Sequence, residues 1–354
     1  MEKVSHHYVP QFYLKNFSSN RKSIGLYNIK NNLYIKDASI KKQACKDYLY
    51  GKDDELENLF MDLESYAAII LKNIITNRKL PRQNSEEYDT LLFFLLLSEA
   101  RNLKNADSTD NFVDVTSKLM LSMDKKYRIP KDFINKVNIS LEIPNLYSIR
   151  TVAENFRILY DLKCTLLINK SDRQFITSDN PLVRYNLMYV VRKYKLRGYG
   201  LGSMGIQLFF PISPEICICL FDSNLYDFRH DNQGNIVISK GKHIDELNKL
   251  FYLNSYRSIF FHNSIQSQYI RRIADKNIHT TGEVKEEITI LPSQREDRDG
   301  YIIWLSPRQV NVKINLPMFN INRNFIKMPL PGHMAGPIRP YARAFLRDDD
   351  QDFD

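Results

Sequence analysis

The chain of 354 residues carries 50 Lys and Arg against 41 Asp and Glu, with 43% hydrophobic residues, 12 Gly and 14 Pro. This is the composition of a globular protein with room for a sizeable core, and it excludes collagen-like and low-complexity chains. Four scattered cysteines exclude a disulfide scaffold and favour a cytoplasmic location. The longest apolar run, Leu91–Leu97, is too short for a membrane span, so we expect no membrane partner.

The positive charge is concentrated in the body of the chain. Five Asp lie in the last seven residues, and without them the net charge of +9 becomes +14 for residues 1–347. A basic body is typical of proteins that bind polyanions, and nucleic acid is therefore the expected partner, with an ordinary basic surface as the alternative. The acidic tail is either solvated or covers a basic groove.

The first half of the chain is predicted to be mainly helical. Two short strands, 24–29 and 33–36, follow the N-terminal segment. Apolar residues at three- and four-residue spacing predict a helix over 53–78, and a capping box at 84–87 starts a buried helix that runs to about 102. Further helices are expected near 107–126 and 146–162.

The second half is predicted to be mainly strands. We expect a hairpin over 165–178, strands at 206–213 and 216–221, another hairpin over 226–239, helices near 243–254 and 264–274, and a strand at 310–316. Six of the 14 prolines lie between Pro307 and Pro340, which predicts an extended, docked tail.

These elements predict an α+β fold in which a helical N-terminal half packs on a mostly antiparallel sheet, followed by a Pro-rich C-terminal extension. Residues 1–290 form one composite domain, with its helical part at about 53–162 and its sheet part at about 164–275. Residues 291–354 form an extension with a strand and an acidic tail.

The N-terminal segment SHHYVPQFYLKNF is rich in groups that can bind or catalyse. Its apolar residues suffice to pin the terminus to the core, but this role does not require His6, His7 or Gln11. Together with LENLFMDLE, FITSDNPLV and FPISP, in this order, the segment resembles the HYVPQFYL family of bacterial domains of unknown function, over about residues 5–275. The motif positions are His7, Pro10, Tyr13, Leu14, Phe17, Glu57, Glu64, Arg101, Thr177, Ser178, Asp179, Asn180, Pro181, Pro211, Ser213 and Pro214. The family has no established mechanism. Some members occur among phage-defence genes, so the resemblance implies an antiviral effector.

Four of these residues are candidates for catalysis: His7, Asp179, Asn180 and Glu64. His7 could act as general base, and Asp179, Glu64 and His7 could together hold Mg²⁺ or Mn²⁺ beside a phosphate. The structural alternatives are a solvated helix face for Glu64 and a self-bonded turn for Asp179.

Groups that could bind a substrate surround this set. They are Tyr13, Gln11, Arg101 and Arg173, together with the basic, aromatic loop that contains Arg192, Lys193 and Lys195. If the site is functional, His7 and Asp179 should share a cleft with polar atoms within about 8 Å. Otherwise His7 should bond a backbone carbonyl and Asp179 should close its own turn.

Other cofactors and reaction types are disfavoured. The glycines at 200, 202 and 205 precede a strand rather than a helix, so we expect no nicotinamide cofactor. Cys217 and Cys219 lack a second ligand pair, so no structural zinc is expected. Two function classes lead: a metal-dependent phosphodiesterase or nuclease acting in defence, or a non-catalytic module that senses nucleic acid or a phage protein and acts through a partner. An enzyme that consumes NAD⁺ or another nucleotide is a third possibility. A protein partner or a homo-oligomer is compatible with both.

Overall fold

The computed structural model describes residues 5–52, 55–123, 129–192, 199–277, 287–292, 301–306, 310, 312–326 and 337–349. The fold is α+β, as predicted. The N-terminal segment forms a hairpin of two strands, a pair of short strands and one short helix. These elements are β1 (Ser5–His7), α1 (Gln11–Leu14), β2 (Ser23–Asn28), β3 (Leu33–Ser39) and β4 (Cys45–Asp47).

Helices follow in the order predicted from the apolar spacing. They are α2 (Glu55–Asn77), α3 (Glu86–Ala100), α4 (Leu103–Met123), α5 (Lys131–Ile134) and α6 (Leu146–Asn155), the last continued by a 3₁₀ turn over Phe156–Leu159. The Ser85 hydroxyl caps α3 by accepting a hydrogen bond from the Tyr88 N–H. Because α3 is apolar on all sides, it lies in the middle of the helical layer, as predicted.

The second half supplies most of the sheets. Its elements are β5 (Lys163–Asn169), β6 (Thr177–Ser178), β7 (Val183–Tyr185), α7 (Leu187–Val191), β8 (Gln207–Ser213), β9 (Ile216–Phe221), β10 (Tyr226–Phe228), β11 (Ile236–Ile238), α8 (Gly241–Asn254), β12 (Ser258–Phe261) and α9 (Ser267–Asn277). The C-terminal elements are β13 (Glu287–Pro292), β14 (Tyr301–Ser306), β15 (Phe319–Ile321), α10 (Arg323–Ile326) and α11 (Pro340–Asp349).

Two sheets organise the core. The larger has the strand order β11-β5-β9-β8-β7 and the smaller β3-β2-β12-β6, and every pair in them is antiparallel except β11–β5. Side chains alternate along β8 and β9, so that Leu208 and Ile218 face the core of the helical half while Phe209 and Cys219 face a second core around α8 and α9. Burial on both faces explains why these strands are continuously apolar.

Two predicted hairpins were wrong because strand pairing is not local, and two further local predictions differ from the structure. The segments 165–178 and 226–239 do not form hairpins: β5 and β6 lie in different sheets, β10 pairs with β15, and β11 pairs with β5. Residues 312–316 make no strand, although Ile314 and Leu316 are buried and their neighbours exposed, as the alternation indicates. The tail is not wholly extended, since Pro340 starts α11 at the helix position where its missing N–H costs nothing.

None of the helices in the described part of the chain is long and apolar enough to cross a membrane.

Candidate functional site

Tyr13 ties the N-terminal motif to two later motifs inside the core. Its side chain is fully buried, and its hydroxyl donates to the Pro211 carbonyl at 2.6 Å and accepts from the Thr177 hydroxyl at 2.5 Å. Burial raises the pKa of Tyr13 well above 10, so the phenol is neutral. The predicted binding residue Tyr13 therefore has the contacts of an anchor that fixes α1 against β6 and β8.

His7 lies at the surface end of this motif in a defined tautomer. Its Nδ1 is 3.1 Å from the Gln43 carbonyl oxygen, which can only accept, so Nδ1 carries the proton. The unprotonated Nε2 accepts from the Gln11 side-chain amide at 3.0 Å. Burial lowers the pKa of His7 below 6.5 and outweighs the hydrogen bond to Gln43 and the charge of Glu64, which both raise this pKa. At neutral pH His7 is consequently a neutral base.

The charges of Glu64 and Arg101 act on the His7 imidazole, that of Glu64 raising its pKa and that of Arg101 lowering it. Arg101 Nη1 donates to Glu64 Oε1 at 2.8 Å, and the guanidinium lies 5.2 Å from the centre of the Phe60 ring. We call His7, Gln11, Glu64 and Arg101 the His7–Arg101 cluster. It unites four of the residues that the sequence predicts for catalysis or binding.

Arg101 is an incompletely bonded buried cation. Its side chain is 1% exposed, yet among the described residues its Nε and Nη2 have no hydrogen-bond partner. The other large buried arginine, Arg339, is the opposite case: it is also 1% exposed, but all three of its nitrogens donate to Asp161 or to backbone carbonyls. A buried guanidinium normally satisfies its donors, so the spare donors of Arg101 are suited to an anion.

Three exposed lysines lie close in sequence or strand register to the residues that contact His6 and His7. Lys41 and Lys42 immediately precede the residue whose carbonyl holds His7, and Lys46 lies opposite His6 in the β1–β4 pair. All three lysines are exposed, and one exposed carboxylate, Asp47, follows them. Glu64 is 25% exposed, so its end of the ion pair with Arg101 reaches solvent.

Asp179 has a different environment. It is buried, and its two carboxylate oxygens accept from three consecutive backbone N–H groups, Tyr256 at 2.8 Å, Arg257 at 2.7 Å and Ser258 at 3.0 Å. Burial raises the pKa of Asp179 to about 6, because it outweighs the three backbone hydrogen bonds, which lower this pKa. Asp179 thus joins the TSDNP motif to the start of β12. It closes a distant loop rather than its own turn, while His7 does bond a backbone carbonyl.

Asn180 belongs to a buried asparagine network. Asn102 donates to Asn180 Oδ1 at 2.6 Å, Asn180 donates to the Asn254 carbonyl at 3.1 Å, and Asn254 donates back to the Asn180 carbonyl at 2.8 Å. Because Asn102 follows Arg101 directly, the junction between α3 and α4 connects the TSDNP motif to the His7–Arg101 cluster. The sequence analysis missed Asn102 and Asn254; a polar residue placed just after a fully apolar helix was the available signal for Asn102.

A cavity of about 340 Å³ lies above this network, and we call it the asparagine cavity. Asn102, Asn180 and Asn254 line it together with the ends of α3, α4 and α6. Glu99 and Arg184 form an ion pair at its wall, with Arg184 Nε 2.9 Å from the carboxylate. No member of the His7–Arg101 cluster lines it.

The remaining predicted binding residues lie elsewhere. Arg173 contacts Asp172 and Asp245 at 3.4 and 3.6 Å, and its guanidinium packs on the Tyr269 ring. Arg192 donates to the Phe325 carbonyl at 3.2 Å. Lys193 and Lys195 lie outside the described residues.

The contacts of the predicted metal ligands do not suit a shared ion. Asp179 is bonded to backbone, Glu64 to a guanidinium, and both nitrogens of His7 to protein. In the described ranges no three His, Cys, Asp or Glu side chains form a group that could hold a metal. These bonds disfavour the predicted Mg²⁺ or Mn²⁺ site, and the effect of EDTA on cleavage decides whether a metal is required.

A family model described as a protein of unknown function (DUF4238) matches residues 5–264. No curated protein and no solved structure matches the chain.

Proposed function

Because this chain belongs to the DUF4238 family, whose function is unknown, we propose its activity from the site: hydrolysis of phosphodiesters, with nucleic acid as the substrate. The membership confirms the family predicted from the motifs. The observation that carries the proposal is Arg101, a buried cation with two donor nitrogens that find no partner among the described residues and whose charge acts on a neutral histidine.

In this proposal Arg101 binds the phosphate. Its Nε and Nη2 would donate to two phosphate oxygens and stabilise the charge that grows on them in the transition state. Glu64 orients the guanidinium by accepting a hydrogen bond from Nη1, and the Phe60 ring packs against the face of the guanidinium. Because the Arg101 side chain is 1% exposed, a phosphate would reach these nitrogens only after the side chains around them move, and the exposed lysines Lys41, Lys42 and Lys46 would attract a polyanion to this part of the surface.

His7 would be the general base. When the Gln11 amide swings away, Nε2 can take a proton from a water molecule that attacks phosphorus. The bond from phosphorus to the leaving oxygen breaks, that oxygen takes a proton from solvent, and the imidazolium releases its own. The Gln43 carbonyl keeps Nδ1 protonated throughout, so Nε2 is always the reacting nitrogen.

A non-catalytic binding module is the second candidate. The contacts of Asp179 and of both His7 nitrogens favour it, because groups already bonded within the protein are typical of structural residues. It predicts salt-dependent binding of nucleic acid without cleavage. The role in phage defence rests on the family resemblance alone and belongs to the proposal under either candidate.

Cleavage of end-labelled single- and double-stranded RNA and DNA, with Mg²⁺, Mn²⁺ or EDTA, tests the proposal. We expect cleavage that survives EDTA and that falls at least about 100-fold in His7→Ala. His230→Ala, which changes an exposed histidine, is the matched control and should keep full activity. Cleavage abolished by EDTA would restore the metal prediction and contradict this mechanism. Binding without cleavage in any condition would favour the second candidate.

A further inference from the structure

The asparagine cavity is a second site that the proposed hydrolysis does not use. Its volume of about 340 Å³ falls within the range of about 300–1,000 Å³ in which small molecules bind. It is lined by amide, hydroxyl and charged groups as well as by apolar side chains, and this mixture is typical of ligand pockets rather than of packing defects.

The asparagines present acceptors to this cavity. Asn102, Asn105 and Asn155 donate their Nδ2 groups to Asn180 Oδ1, the Ala100 carbonyl and the Thr151 carbonyl. Asn180 and Asn254 donate theirs to carbonyls as well. Since every Nδ2 faces an acceptor, the orientation of each amide is fixed. In the described part of the chain no donor reaches Oδ1 of Asn105 or Asn254, so these oxygens are left to accept from a ligand.

The other walls define the rest of the ligand. Leu96, Val152 and Leu201 offer apolar surface that suits the faces of a flat ring. The lining contains two cationic side chains, Lys104 and Arg184, and one anionic side chain, Glu99. Its formal net charge is therefore +1, which favours a ligand with negative charge. Tyr147, 77% exposed at the edge, can stack on an aromatic group.

We infer that the asparagine cavity binds a nucleoside monophosphate whose base carries an exocyclic amino group. The amino group donates to the asparagine oxygens, the base lies between the apolar side chains, and the phosphate meets the positive charge. A base with a carbonyl in place of the amino group would set one acceptor against another.

Calorimetric titration of the full chain with AMP, IMP and adenosine tests this inference. We expect AMP to bind at least about tenfold more tightly than IMP, which lacks the amino group, and than adenosine, which lacks the phosphate. Ser148→Trp, which fills the cavity from α6, should abolish AMP binding, whereas Arg150→Trp, exposed on the same helix, should leave it unchanged.

Arg101→Met separates this site from the proposed catalytic one. AMP binding that survives Arg101→Met and is lost in Ser148→Trp supports the inference whether or not the protein cleaves nucleic acid. The inference is overturned if AMP does not bind at millimolar concentration, if IMP binds equally well, or if Arg101→Met rather than Ser148→Trp removes binding.

Discussion

Replacing Arg101 with Met tests whether this buried guanidinium is kept for function rather than for stability. The change removes the ion pair with the 25% exposed Glu64 and the contact with Phe60, together worth about 1–3 kcal/mol. It also removes two buried nitrogens that have no acceptor among the residues the structure describes, each of which costs about 1–3 kcal/mol. Methionine refills most of the volume, and Glu64 can turn to solvent. We therefore expect the free energy of unfolding to stay level or to rise by up to about 3 kcal/mol.

Arg339→Met is the matched control, because Arg339 is equally buried but fully bonded. Its removal leaves Asp161 and the carbonyls of Ile158, Leu201 and Ser203 without their donor, and we expect a loss of about 3–5 kcal/mol. Urea unfolding followed by circular dichroism gives both values if the slopes agree with wild type. A loss above about 2 kcal/mol in Arg101→Met would refute the argument, since it would mean that the protein itself satisfies this side chain.

The remaining predictions concern His7, Asp179 and Tyr13. The pKa of His7 in the folded protein lies below its value of 6.5 in the unfolded chain, so between these two pKa values the unfolded chain binds more protons and the folded protein loses stability as the pH falls. The acidic limb of the activity profile should therefore have its midpoint below pH 6.5. A midpoint above pH 6.5 would contradict the assignment of His7 as the base. Asp179→Ala leaves three backbone donors unbonded and should cost about 3 kcal/mol or more by thermal unfolding, whereas an unchanged melting temperature would contradict its role as a brace. Tyr13→Phe should cost about 1–3 kcal/mol and the exposed Tyr147→Phe nothing measurable; equal effects would show that the Tyr13 hydroxyl bonds contribute little.

The fold could be predicted where the information is local. Apolar spacing and the cap at Ser85 define α2 and α3, and the continuous apolar runs define β8 and β9. Pairing could not be predicted in the same way, because the neighbours of β5 are β9 and β11, which come more than forty residues later along the chain. The segment after Arg173 was predicted to pair with β5 because it follows β5 closely in sequence, but β9 and β11 occupy both edges of β5.

The site shows the same division. Residue types and motif positions selected His7, Gln11, Glu64 and Arg101 as candidates, and in the structure Gln11 bonds His7 while Arg101 bonds Glu64. The bonding of Asp179 could not be predicted from the sequence, since its three partners are backbone groups of a loop about 80 residues away. The missing partners of Arg101 could not be foreseen either, because the bonding of a buried side chain depends on the whole tertiary environment.

The rate of phosphodiester cleavage by Arg101→Met tests the central claim most directly. We predict that this variant, folded and as stable as wild type, cleaves nucleic acid at least about 100-fold more slowly in kcat/KM, the loss typical of removing a group that stabilises transition-state charge. Arg150→Met, which changes an exposed arginine of α6, should retain the wild-type rate. A folded Arg101→Met protein that cleaves as fast as wild type would contradict the assignment of the His7–Arg101 cluster as the site of hydrolysis.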